Sequence, residues 1–445
     1  TTGAEFYWEP GGTYSLPALK VVNNGNLKLK YKVAITGINA NRSGAKLNEV
    51  IDWTISNDGT PIAGTNEYAL DAKSSTTVDS DILTIKGHMD EMANNDYQGL
   101  IIDGVGITVY ATQMTGEYDS TRDNYDENAT YPTGATIVGL NGTYDSLTAA
   151  MVAWRESKNI LTTGGNMGGH PTELTSVDTI SWVISGSVGT GNGTGVVGTS
   201  GSLLSGGYIY PGIAINNVYI KGVNNAELKN EIGSDYALSS GGKNVVYDGI
   251  TFPEYVSFNS KAENVTFKNC TFKGGLKVMQ AANVTVDNCK FEGDGTKDYA
   301  FFAQNSTMES VVFTKNEVSN FQRGINVQDF SGTANVTISD NEIKNITGKT
   351  ENSVTYGSAI QLTNAKTFTV TSNTISNVDV NALHIYNGCA ADSIVINGNN
   401  ISAAYLSWNE ANYTNVASSG NTVSVTNENQ CMTKTGAESS NFTLN

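Results

Sequence analysis

An acidic segment carries the clearest metal-binding chemistry in the sequence. Residues 117–128 read EYDSTRDNYDEN and bring Asp119, Asp123 and Asp126 close together. Carboxylate oxygens are the hard ligands that calcium prefers, although this spacing does not fit an EF-hand. We therefore predict either a calcium site at these three residues or an acidic, solvated linker between two domains.

The histidines do not form a zinc motif. His88, His170 and His384 are the only three, and the HMDE segment at 88–91 lacks the second histidine that a zinc-protease helix needs. We predict no catalytic zinc and, calcium aside, no cofactor.

Amides and aromatic rings recur at matching positions of several short strands in the C-terminal half. Aligning these strands predicts two outward columns, and neither contains a carboxylate. Flat rings with amides beside them suit the faces and hydroxyls of sugars. We predict a glycan-binding face made of Asn326, Gln328, Gln361, His384, Tyr386 and Trp408. Because hydrolysis needs paired acids, we predict no catalytic residue there.

These strands belong to a repeat. One nine-residue phrase, NVTFKNCTF at 264–272, recurs in related form nine times. The copies start at residues 217, 244, 264, 283, 310, 335, 367, 393 and 415. That spacing is typical of one solenoid turn, and the period of two inside each copy predicts a β-strand. With the second strand that follows most copies, each turn is expected to join at least two parallel sheets.

The seventh position of the phrase predicts a buried polar ladder. It is asparagine in five successive copies, namely Asn316, Asn341, Asn373, Asn399 and Asn421. Stacked amides can bond to one another along such a column. Cys270 and Cys289 occupy the same position, and a strand spacing of about 4.8 Å is long for a disulfide, which favours two buried thiols. Whether Cys389 pairs with Cys431 stays open.

The repeat and its ladder resemble the right-handed parallel β-helix of the pectate-lyase-like class, over residues 176–445. Residues 133–175 precede it as a linker and a helix, in which Leu147, Met151 and Trp154 share one face after an N-cap at Asp145 or Ser146. Such a helix would cap the open end of the solenoid.

Residues 1–132 have longer strand runs and lack the asparagine column. Segments 11–38, 97–99 (YQG) and 107–113 (ITVYATQ) resemble the TasA/camelysin family of secreted surface proteins and biofilm-fibre subunits. The resemblance covers residues 11–120, with a strand pair turning at residues 23–26. It implies an exported jelly-roll β-sandwich that, in fibre-forming members, lends an N-terminal strand to the next subunit. The predicted donor strand contains Phe6, Tyr7 and Trp8.

The amino-acid composition argues against some classes of binding partner. A net charge of -17 with only four arginines argues against nucleic acid, because a phosphate backbone needs a basic footprint. No run of 18 apolar residues exists, so we predict no membrane span. Because the chain starts at Thr1 without Met, we predict a processed form that acts at the cell surface or in a biofilm matrix.

Together these features predict an exported, non-enzymatic, all-β protein of two domains. The sandwich would build a head-to-tail homopolymer, and the β-helix would project from it as an arm that binds polysaccharide. The alternative is a secreted polysaccharide lyase or glycoside hydrolase of the β-helix class, anchored by the first domain.

Overall fold

A computed structural model gives the fold of most of the chain. The described residues are 8–36, 39–40, 50–57, 60–62, 67–97, 102–103, 106–114, 130–137, 140, 142–157, 176–189, 208–209, 213–229, 236–238, 242–258, 262–305, 307–385, 393–409, 416–427, 431–432, 438–439 and 444.

The N-terminal part folds as two larger antiparallel sheets and one separate two-stranded pair. Its strands are β1 (Thr13–Ser15), β2 (Leu19–Val22), β3 (Leu29–Thr36), β4 (Asn39–Ala40), β5 (Ile51–Asn57), β6 (Thr60–Ile62), β7 (Tyr68–Leu70), β8 (Ser80–Met89), β9 (Ile102–Asp103) and β10 (Gly106–Gln113). One sheet has the order β1-β8-β5-β6 with β2 also on β8, and the other is β10-β3-β7. Strand alternation directs one side of each sheet into a shared core. That core contains Tyr31, Ile55, Leu70, Leu83 and Ile85.

The segment at residues 23–26 does not join a strand pair as predicted. β2 pairs with β8, whereas β3 pairs with β10 and β7, so the segment passes from one sheet to the other. Asn23 is buried and donates from Nδ2 to the carbonyls of Leu27, Leu70 and Asp71. The bonds to β7 and to the residue after it fix the segment that passes between the two sheets. A hairpin turn between β2 and β3 would not need them.

Trp8 packs against its own sandwich. Its ring contacts Tyr14 and Trp53 edge-on, at centroid distances of 5.0 and 5.9 Å. Gly87 gives it room, since a Cβ there would lie 2.5 Å from the Trp8 ring. The other predicted donor residues, Phe6 and Tyr7, lie outside the described residues.

A short helix covers the N-terminal end of the solenoid. Strand β11 (Gly134–Ile137) pairs antiparallel with β12 (Ser176–Gly189), and α1 spans Leu147–Ser157. The Ser146 hydroxyl accepts from the Ala149 amide at 3.1 Å, so Ser146 is the N-cap. Leu147 and Trp154 join the solenoid core, as predicted.

Most of the remaining strands pair in parallel, and a few short pairs are antiparallel. The remaining strands are β13 (Tyr208–Ile209), β14 (Ile213–Lys229), β15 (Tyr236–Leu238), β16 (Gly242–Asp248), β17 (Thr251–Phe252), β18 (Val256–Phe258), β19 (Asn264–Lys268), β20 (Thr271–Phe272), β21 (Leu276–Met279), β22 (Asn283–Asp287), β23 (Lys290–Glu292), β24 (Tyr299–Asn305), β25 (Ser310–Thr314), β26 (Glu317–Phe321), β27 (Arg323–Asp329), β28 (Asn335–Ser339), β29 (Glu342–Ile346), β30 (Lys349–Glu351), β31 (Val354–Tyr356), β32 (Ser358–Thr363), β33 (Thr367–Thr371), β34 (Thr374–Ile385), β35 (Ser393–Asn397), β36 (Asn400–Asn409), β37 (Val416–Ser419), β38 (Thr422–Val425), β39 (Cys431–Met432) and β40 (Glu438–Ser439).

Most of these strands fall into three parallel ladders, one more than the minimum expected from the sequence. The first sheet runs through β12, β14, β16, β19, β22, β25, β28, β33, β35 and β37. The second contains β17, β20, β23, β26 and β29, and the third contains β18, β21, β24, β27 and β32. The prediction of an all-β protein with a right-handed parallel β-helix is confirmed.

The repeated phrase sets the register of the first sheet. Its first residues pair rung by rung, as in Asn264 with Asn283 and Asn335 with Thr367. Its sixth position turns the corner in the left-handed region, with φ between 51° and 71° in eight copies. Those residues are Gly249, Asn269, Asn288, Lys315, Asp340, Ser372, Gly398 and Gly420. Glycine and asparagine tolerate this conformation best, which explains their frequency there.

The seventh position forms a continuous buried ladder. Asn316, Asn341 and Asn373 each donate from the side-chain amide to the Oδ1 of the next asparagine, at 2.8 to 3.1 Å. Asn399 continues the series to Asn421 at 3.0 Å. The ladder satisfies polar groups that no water reaches.

Two cysteines precede the asparagines in the same column. Cys270 and Cys289 are free and buried, as predicted. The Cys289 amide donates to Asn316 Oδ1 at 2.8 Å, so the asparagine series begins directly above the thiols. Cys389 lies outside the described residues.

Candidate functional site

The outer face of the third sheet carries a patch of amides. Strands β24, β27 and β32 lie in exact register there, and alternate residues point outward. We call this patch the amide face, and it consists of Phe302, Gln304, Asn326, Gln328, Gln361 and Thr363. All of these except Asn326 are half-buried, although the Thr363 hydroxyl oxygen is itself buried.

Two aromatic rings stack at the edge of the amide face, and one of them, Phe302, belongs to it. Tyr299 and Phe302 stack with centroids 5.2 Å apart and an interplanar angle of 22°. The Lys277 ammonium lies 5.0 Å from the Phe302 ring centroid, on the preceding rung. The pair therefore offers a flat, partly exposed apolar surface beside hydrogen-bonding amides.

A charged cluster holds Tyr299 in place. The Arg323 guanidinium lies 3.7 Å from the Tyr299 ring centroid and donates two hydrogen bonds to the Asp298 carboxylate. Lys349, from the β30–β31 hairpin, lies 3.2 Å from Asp298 and 3.0 Å from Glu351. Burial raises the pKa of Tyr299, and the hydroxyl stays protonated.

Two residues of the predicted glycan face are not exposed. Asn326 and His384 are 0% and 1% exposed, although Gln361 between them in the same column is half-buried. The Asn326 side chain lies near the Tyr299 hydroxyl, and this contact partly opposes the effect of burial on the pKa of Tyr299. Burial lowers the pKa of His384 to about 3, so its imidazole is neutral at ordinary pH.

The predicted columns also change where the register slips. Trp408 pairs with His384, whereas the sequence alignment placed it beside Tyr386. Register shifts in the β34–β36 pairing, between Ile375 and Asn381, displace the later residues by two positions. Tyr386 lies outside the described residues. The backbone pairing places Asn326, Gln361, His384 and Trp408 of the predicted face in one column, and Gln328 lies two residues after Asn326 on β27.

A charged column on the first sheet was missed by the sequence interpretation. Lys221, Asp248, Lys268 and Asp287 stack on successive rungs. Asp248 accepts from Lys221 Nζ and from the Tyr219 hydroxyl, each at 2.7 Å. Burial by itself raises the pKa of Asp248, but the two lysines outweigh it and lower that pKa to about 2.

The signal for this column was present in the repeat. These four residues stand at the fifth position of the phrase, and aligning that position would have shown alternating charges. The sequence interpretation compared outward columns only on the second strands of each turn, so it overlooked two carboxylates that point to one side.

The predicted calcium ligands, Asp119, Asp123 and Asp126, lie outside the described residues. Among the residues that are described, no group of three metal-ligating side chains comes together. No helix in that part of the chain is long and apolar enough to cross a membrane.

Comparison with protein-family models supports the fold of the solenoid. A family model described as a right-handed β-helix region matches residues 210–358. Two similar solved structures are catalytic parts of GH87 α-1,3-glucanases. One, from Streptomyces thermodiastaticus strain HF3-3, is 11% identical with a TM-score of 0.24, covering 92% of this chain and 90% of that one. The other, bound to nigerose, is 11% identical with a TM-score of 0.19, covering 92% of each chain.

No curated protein matches the chain. The comparisons also give no match to the TasA/camelysin family, so that part of the resemblance has no support from them.

Proposed function

We propose that this chain is an exported polysaccharide-binding protein whose β-helix holds a glycan on the amide face. The observation that carries the proposal is the stacked pair of Tyr299 and Phe302, half-exposed beside a row of glutamines. Sugars present apolar C–H faces and polar edges, so a binding site combines flat rings with amides.

Each part of the amide face has a distinct task in this proposal. Phe302 stacks against one sugar ring, while Gln304, Gln328 and Gln361 exchange hydrogen bonds with hydroxyls. Arg323 lies against the Tyr299 ring and is itself held by its contact with Asp298, which fixes the ring. A ring held in advance loses little entropy on binding.

Replacing Phe302 by Ala tests the proposal. We expect binding to weaken by about tenfold, because one exposed stacking contact is lost. Affinity gel electrophoresis with laminarin, dextran, xylan and polygalacturonate measures retention of the wild type and the variant. Val312→Ala is the matched control, since Val312 is a half-buried apolar residue on the outer side of the first sheet. Equal retention of the Phe302 variant and the wild type, or no retention of either, would contradict the proposal.

Glycoside hydrolysis is the second candidate, and the charged column favours it. Asp248 and Asp287 lie two rungs apart with Lys268 between them, about 10 Å and slightly beyond the range of an inverting pair. Although burial raises the pKa of Asp248, Lys221 and Lys268 lower it, so this carboxylate is ionised and suits the role of the base, and Asp287 is the second carboxylate of the column. New reducing ends released by the wild type, but not by Asp287→Asn, would support cleavage, and none from either would exclude it for these polymers.

The filament role is a separate proposal that rests on the resemblance of residues 11–120 to a fibre-forming family. In the predicted strand exchange the N-terminal segment would leave its own subunit. In the structure, however, Trp8 contacts Tyr14 and Trp53 of its own sandwich. An exchange of strands would have to break these contacts and remake them on the neighbour. Electron microscopy of the full chain at high concentration distinguishes fibres from single particles.

A further inference from the structure

One aromatic ring stands out on the surface of the solenoid. Phe330 follows β27 directly and is 55% exposed. Every other exposed large apolar side chain among the described residues belongs to the sandwich. An exposed Phe loses favourable burial, so its position calls for a physical reason.

The loop that carries Phe330 is built to be rigid. Asp329 is completely buried, and its carboxylate accepts hydrogen bonds from the amides of Ser331, Thr333 and Ala334 at 2.6 to 2.9 Å. The Ser331 hydroxyl donates to it as well, at 2.6 Å. Phe330 itself donates from its amide to the Asn305 carbonyl at 3.0 Å. The ring is therefore presented from a fixed backbone.

The position of Phe330 continues the amide face. Asn326 and Gln328 take outer positions of β27, and Phe330 lies in the bend directly after the strand, two residues after Gln328. Phe330 is four residues after Asn326, a span of at most about 13 Å. Phe302 lies beside Asn326 on the neighbouring rung, so Phe302 and Phe330 lie at opposite ends of the amide face along the strand direction.

We propose that Phe330 is a second stacking platform, and that a glycan chain lies along the strand direction, across the solenoid rather than along its axis. This inference rests on the proposed function. The distance between the rings requires a ligand of several sugar units, so the site selects an internal stretch of a polysaccharide and binds a disaccharide poorly.

A protein partner fits Phe330 less well. Protein interfaces concentrate several aromatic or apolar anchors in one patch. Here the neighbours on the same loop, Ser331 and Thr333, are exposed and polar. A single ring among hydroxyls and amides matches a sugar, which offers one apolar face with polar edges.

The test compares oligosaccharides of increasing length. Laminarin, dextran and xylan fragments from disaccharide to hexasaccharide are titrated by calorimetry into the wild type, Phe302→Ala, Phe330→Ala, Phe330→Tyr and the control Val312→Ala. Wild-type affinity should rise with length, and Phe330→Ala should weaken binding of the longer fragments about five- to tenfold while leaving the disaccharide unchanged. Phe330→Tyr should retain the gain, because its ring stacks equally well.

The outcomes separate the two proposals. If fragments bind and Phe302→Ala weakens them, but Phe330→Ala behaves as the wild type at every length, the second platform is refuted and the proposed function stands. If Phe330→Ala weakens all lengths equally, the spanning arrangement is refuted. If no fragment and no parent polysaccharide binds, the proposed function fails and this inference fails with it.

Discussion

Replacing Asn341 by Leu is expected to lower the free energy of unfolding of the β-helix by about 3 kcal/mol or more. Asn341 is 2% exposed and donates to the Phe313 carbonyl and to Asn373 Oδ1 at 3.0 and 2.8 Å. Its Oδ1 accepts from the backbone and side-chain amides of Asn316 at 2.8 and 3.1 Å. Leucine removes all four bonds and leaves their partners buried, which costs more than the bonds themselves contribute.

The same rung offers a matched control. Asn335 begins β28, is exposed, and bonds through its side chain to the Thr367 hydroxyl. Asn335→Leu should change stability by less than about 1 kcal/mol, since water can serve the group left behind. Urea unfolding followed by circular dichroism measures both variants. Equal midpoints for the two variants would mean that the column does not stabilise the solenoid.

The fold of the C-terminal half was accessible from the sequence because one phrase encodes one rung. Its alternation fixes which side chains point inward, and its sixth position requires the left-handed corner that Asn269 and Gly398 adopt. Aligning the phrases therefore reproduces the strand register directly. The second sheet was not separated from the first, because its short strands are the last residues of the same phrase, as at Thr271–Phe272.

The candidate site was only partly predictable from the sequence. Gln328 and Gln361 follow from strand alternation, but the cluster around Arg323 needs Lys349, which comes from a hairpin inserted between two rungs. No periodicity places an insertion in space. The error at Trp408 has a related cause, since extra residues within β34 shift the register of the following rung.

The sandwich shows where local pattern misleads. The turn-forming residues 23–26 between two strands favour a hairpin, yet the strands belong to different sheets. Asn23 is buried because it satisfies carbonyls near β7, a contact that is distant in sequence. Such long-range bonds leave no signal in the spacing of nearby residues.

Aromatic side chains fill the solenoid core around Phe267, and we expect a substitution there to cause the largest loss of stability. Phe267 is fully buried, stacks on Tyr247 with centroids 5.0 Å apart, and meets Phe252, Phe258 and Phe272 edge-on. Phe267→Ala should cost about 4 kcal/mol, because it opens a cavity that the ordered rungs cannot fill. Phe267→Leu should cost about 1.5 kcal/mol or less, since most of the volume remains. Phe302→Ala, which removes a half-exposed ring, should cost far less than Phe267→Ala in the same urea titration. If all three variants unfolded at one midpoint, the stacked rings could not be what holds these rungs together.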